Sequence, residues 1–154
     1  MEFLQEPQNF AVILSSVKRD WAKAEENFFF LVGHWQGLCV NHFGGLISII
    51  KVDEKSVLQG VVLNKSYAVE LRPIAIKGKG FAEVVIKVLF SQHEVSEAGR
   101  FLVDRNGSVV QEDGSVVVDA DTDLGSARIF TTIVNAVLET PYPSSLGQIV
   151  IAQS

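Results

Sequence analysis

From Asn9 onward, apolar residues recur at helical intervals: Phe10, Ile13, Val17, Trp21 and Ala24 fall at steps of three and four. Asn9 suits an N-cap, with Pro7 just outside it, so the pattern predicts a helix ending near Glu26. The period then changes. Asn27 to Val32 is aromatic and β-favouring, Gly33 interrupts it, and Trp35 to Val40 resumes. After the Gly44-Gly45 turn come Leu46 to Val52 and, past a polar turn at Asp53 to Ser56, Val57 to Leu63. Asn64-Lys65-Ser66 turns into Tyr67 to Leu71, where Tyr67, Val69 and Leu71 alternate with Ala68, Glu70 and Arg72. This reads as a meander of short antiparallel strands.

At Gly80 the spacing lengthens again. Phe81, Val84, Val85, Val88 and Leu89 sit at i, i+3, i+4, i+7 and i+8, while a strand would set Glu83 and Lys87 on the face of Val85. The spacing predicts a helix over Gly80 to Gln92, its valines costing only tenths of a kcal/mol each, roughly. Beyond Gly99, Arg100 to Asp104 and Ser108 to Gln111 flank Asn106-Gly107, a strong hairpin signal. Asp113-Gly114 turns into a short strand at Ser115 to Val118. Asp121 or Thr122 can cap a last long helix through Ala127, Phe130, Val134 and Val137, which Pro141 ends. Ser144 to Ala152 is a short apolar tail, a strand or a helical turn. With no repeat or linker, residues 1–154 read as one α+β domain: N-terminal helix, strand meander, middle helix, strand hairpin and C-terminal helix.

That order resembles the secretion-chaperone-like fold of the YbjN-like family and the type III secretion chaperones. The residues that carry the resemblance run from Phe81 to Val150: an apolar helix ending near Ser91, then Gly99-Arg100-Phe101-Leu102-Val103-Asp104, Asn106-Gly107-Ser108-Val109-Val110, the capped helix and Pro141-Tyr142-Pro143. Gln92-His93 stands where that family often has Asn, and the first half matches only in element order. The resemblance implies a dimer without catalytic residues that binds an extended segment of a client protein. It carries no binding residue over by position.

Charge narrows the partners. A formal charge of −5 and a pI near 5.1 repel phosphate backbones, and no basic run offsets this, so nucleic acid is not expected. The acidic start, Met1-Glu2-Phe3-Leu4-Gln5-Glu6, lacks a signal peptide's basic residues, and no apolar run is long enough to span a bilayer. Together with a lone cysteine, Cys39, this predicts a cytoplasmic protein with no membrane partner. The sequons at Asn64 and Asn106 then read as turns.

No catalytic, cofactor or metal site is expected. Asp119-Ala120-Asp121-Thr122-Asp123 opens like a calcium loop, but Leu124 and Phe130 occupy its sixth and twelfth positions, so it reads as an acidic helix start. His34, Cys39 and His42 lack a second ligand cluster, and His93 reads as a helix-end histidine. Gly78-Lys79-Gly80 lacks the phosphate-loop pattern and reads as a strand-to-helix connector. Two functions follow. One is a homodimeric protein-binding module, with Ile86, Phe90, Ile129 and Ile133 as dimer or partner contacts because they lie beside the main helix stripes. Its unknown client would take a groove or a free sheet edge. The other is a small-molecule-binding barrel or cup, suggested by the lipocalin-like Gly33-His34-Trp35 and by Phe28 to Phe30.

Overall fold

The structure, a computed structural model, describes residues 1, 3, 6–91 and 93–143. A long helix, α1 (Pro7–Asn41), precedes seven strands: β1 (Ile47–Lys51), β2 (Val57–Val62), β3 (Lys65–Ile76), β4 (Lys79–Leu89), β5 (Val95–Val103), β6 (Val109–Val110) and β7 (Val116–Val118). Helix α2 (Asp123–Glu139) follows. All seven strands pair antiparallel with their chain neighbours in one open sheet, β1 to β7 in order. The α+β class, the first strand meander and the capped last helix agree with the sequence.

Helix α1 runs well past Glu26 and takes in both stretches expected as strands. Its stripe continues through Ala24, Phe28, Leu31, Val32, Trp35 and Cys39, all buried, at the same steps of three and four. Burial of Phe28 and Trp35 outweighs the roughly 1 kcal/mol that each of Gly33 and Gly37 costs in a helix. Trp21, expected in the core, is half-buried against it.

The expected middle helix is a strand. In β4, Ala82, Val84, Ile86 and Val88 face the core, and Glu83 and Lys87 lie on the opposite face with Val85. That face is the open one. Its charges pair across strands: Glu83 with Arg100 at 3.2 Å and Lys87 with Glu70 at 3.0 Å. The same face also buries Val85, Ala68 and Phe81 between these charges and their neighbours. The strand also removes the element order that tied the chain to the secretion chaperones. Gln92 and the tail from Ser144 to Ala152 lie outside the described residues.

Gly78-Lys79-Gly80 likewise belongs to a hairpin. Lys77 and Gly78 have φ of 51° and 77°, the two positive values of a type I′ turn between β3 and β4. Leu63-Asn64 makes the same turn between β2 and β3. Pro73 lies past the end of β2, on the side of β3 that no strand occupies, where its missing N–H costs no ladder bond.

Both helices share the core face. Trp35 stacks on Phe130 of α2 with centroids 5.3 Å apart, and Phe28 meets Trp35 edge-on at 5.4 Å. Packed rings therefore occupy the space that a barrel would leave open. No pairing among the described residues joins β1 to β7, and Gly33-His34-Trp35 lies mid-helix rather than at a strand start. Both features overturn the lipocalin-type barrel.

Candidate functional site

Two regions bring together residues that could do something beyond folding. The first is a polar knot between the helices. The indole N–H of Trp35 donates to the Ser126 carbonyl at 2.9 Å and to its hydroxyl at 3.1 Å. His34 Nδ1 lies 2.8 Å from the same hydroxyl. A hydroxyl against an imidazole is the pairing of an activated nucleophile; here Ser126 is 3% exposed and its hydroxyl also accepts from Trp35. The knot fastens α1 to α2. Beside it a cavity of about 510 Å³ is lined by Phe30, His34, Asp121, Thr122 and Ser126 among others.

The aspartates there begin α2. Thr122 is the N-cap, its hydroxyl accepting from the Gly125 N–H at 2.9 Å, and the Asp121 N–H donates to Asp119 Oδ1 at 2.8 Å. Both bonds hold the turn that starts the helix. Among the described residues no three His, Cys, Asp or Glu side chains converge on one point. Cys39 is buried in the core, where desolvation pushes its thiol up and away from reactivity. His93 lies in the β4–β5 connection rather than at a helix end, its N–H donating to Ser91 Oγ at 3.3 Å.

The second region is the start of α1. A loop and the start of β4 hold the middle of this helix: Asn27 donates to the Arg105 carbonyl at 2.6 Å, and Asp20 accepts from the Gly80 N–H at 3.1 Å. A Cβ on Gly80 would come within 2.8 Å of Asp20 Cβ and closer still to the Val17 carbonyl, so only glycine lets helix and hairpin approach this far. N-terminal to that contact the helix projects. Every residue from Pro7 to Ser15 is exposed, including Phe10 at 45%, Val12 at 72%, Ile13 at 36% and Leu14 at 54%. No charged residue occurs between Glu6 and Lys18, so these turns are apolar on several sides and solvated on all of them.

The residues expected at a partner surface lie elsewhere. Ile86, Ile129 and Ile133 are buried in the core of this one chain, and Phe90 is half-buried against Tyr142, their rings 5.1 Å apart. Ile86 faces the helices because β4 alternates. Ile129 and Ile133 face the sheet because α2 turns a broad side to it. The three isoleucines are covered within this chain, and only Phe90 keeps an exposed part. The sheet edges offer little in their place: the outward Ile49 carbonyl of β1 already accepts from Gln36 at 3.0 Å, and β7 is three residues long.

On the open face of the sheet, Glu70 accepts from Arg72 at 2.8 Å and from Lys87 at 3.0 Å. Partial burial pushes its carboxyl up, but these two cations outweigh burial and hold it below the usual range. Lys65, buried at the start of β3, donates to the Leu138 carbonyl at 3.2 Å and to that of Thr140, where the dipole of α2 favours a cation. No helix among the described residues is long and apolar enough to cross a membrane. Comparison with protein-family models, curated proteins and solved structures finds no match.

Proposed function

We propose that the chain is a non-enzymatic protein-interaction module, and that its partner docks on the projecting first turns of α1. The observation that carries this reading is the exposure of Phe10, Val12, Ile13 and Leu14 on one uncharged helical end. Side chains of this kind gain by leaving water, at roughly 25 cal/mol per Å² of apolar surface. A helix laid against a partner's apolar surface is a common way to realise that gain without any reactive group. The reading rests on the helix end alone, not on the likeness to secretion chaperones. A cytoplasmic setting suits its single reduced cysteine.

Site-specific photocrosslinking in living cells tests the proposal. A benzophenone side chain at position 12 should give a protein adduct, and Leu14→Asp in the same chain should abolish it. A probe at Lys23, exposed on the held part of the same helix, should give none. Absence of any position-12 adduct, or equal adducts at both positions, would overturn the reading.

A further inference from the structure

At the end of the sheet away from the free start of α1, three exposed leucines share one groove. Leu46 follows the Gly44-Gly45 turn, Leu63 stands in the β2–β3 turn, and Leu138 lies in the last turn of α2. With Phe43, Ile47 and Val62 they line a space of about 420 Å³, and among the described residues no Asp, Glu, Lys or Arg lines it. The Leu63 N–H donates to the Leu46 carbonyl at 3.3 Å, which sets the two leucines side by side. Leu63 also has a φ of 47°, a left-handed conformation that suits Asn or Gly and strains a bulky side chain. Neither the turn nor the core uses this leucine, so its apolar surface is left for something outside the described residues to cover.

We infer that the groove is filled by the chain's own continuation, Leu146 to Ile151. The inference concerns a different surface from the start of α1 and stands apart from that reading. The described chain ends at Pro143, close by. Lys65, just past the Leu63-Asn64 turn, donates to the carbonyls of Leu138 and Thr140, and its ammonium lies 5.0 Å from the centroid of the Tyr142 ring. Tyr142 in turn meets Phe90, at the end of β4. From there the β1–β2 side is about two strand spacings away, roughly 10 Å, which three extended residues span.

The segment matches the groove in chemistry as well as in reach. Leu146-Gly147-Gln148-Ile149-Val150-Ile151 is mostly apolar and, like the groove, carries no charge. A segment tethered this closely meets its site at an effective concentration of about a millimolar, so it holds the groove against a free partner of modest affinity. That tether selects it over a second copy. The other exposed apolar stretch, the start of α1, lies by the Ile76–Gly80 turn, about 36 Å away along β3.

Disulfide trapping in the full chain tests this. Leu63→Cys with Ile149→Cys should close a bond within one chain under mild oxidation, at a rate that a roughly tenfold dilution leaves unchanged. The native Cys39 is buried and does not compete. Leu14→Cys with Ile149→Cys should stay reduced. Adding Leu46→Asp, an exposed change in the groove, should slow trapping of the first pair roughly fivefold or more, with wild-type circular dichroism retained. No bond in the first pair, or one that Leu46→Asp leaves unslowed, would overturn the inference. A bond that forms only between two chains and fades on dilution would overturn it in favour of a second copy. If the first pair stays reduced while a benzophenone at position 63 captures a different protein in cells, the groove belongs to that partner and the inference falls. None of these results bears on the start of α1.

Discussion

Between Ala24 and Cys39, helix α1 drives its apolar stripe into a sheet and a second helix that bury it fully. Between Pro7 and Ser15 the same period continues, with Phe10 and Ile13 in register, and every residue stands in water. Nothing in the local pattern separates the two stretches. They differ in what lies opposite: β4 and α2 in the first case, and, among the described residues, nothing beyond the β3–β4 turn in the second. Periodicity thus specifies which side of a helix wants cover, and only the rest of the fold decides whether cover exists. A 35-residue helix, about 52 Å long, outreaches the sheet that grips it.

The comparison can be broken most forcefully at Trp35. Trp35→Ala removes a fully buried ring and strips Ser126 of a donor, and should cost about 3–5 kcal/mol in urea unfolding. A loss below about 1 kcal/mol would mean that the held half of α1 is not the core it is taken for. A middle-sized effect belongs at the boundary. Gly80→Val forces the hairpin away from Val17 and Asp20 and should cost roughly 1–3 kcal/mol, with faster amide exchange spreading along α1 from Asp20. Unchanged exchange there would show that the close approach does not hold the helix. The smallest effect is expected at the free end, where Val12→Asp should move stability by less than about 0.5 kcal/mol in dilute monomer. Should it destabilise as much as Trp35→Ala, the end is covered from within the chain.

Much of this was legible beforehand. The α+β class, the hairpin at Asn106-Gly107 and the capped start of α2 all followed from local chemistry, because turn residues and caps act over three or four positions; the turn expected at Asn64-Lys65-Ser66 falls one residue earlier, at Leu63-Asn64, with Lys65 already in β3. What escaped depended on distant residues. Phe28 to Phe30 favours a strand locally and becomes helical because Trp35 and Phe130 receive Phe28's ring in the core. Glu83 and Lys87 argued against a strand only while their partners were unknown; Arg100 and Glu70 come from strands on either side. The docking end was present in the sequence as the stripe Phe10–Ile13–Val17, but its exposure was not. The run without charge from Pro7 to Val17 does not mark it, because Asn27 to Cys39 equally lacks Asp, Glu, Lys and Arg and carries the buried stripe.

The Trp35–Ser126 knot has a consequence for how the molecule assembles. In the sheet every strand pairs with its chain neighbour, so each hairpin can close on its own over a short loop. The knot instead joins positions 91 residues apart, and Lys65 reaches α2 across 75. Loop closure over such spans costs entropy before any contact repays it. The meander should therefore be in place, with α1 laid along it, before α2 arrives. Docking of the last helix then seals the aromatic core and completes the cooperative unit, and the arrival of α2 becomes the slow step in reaching the native state.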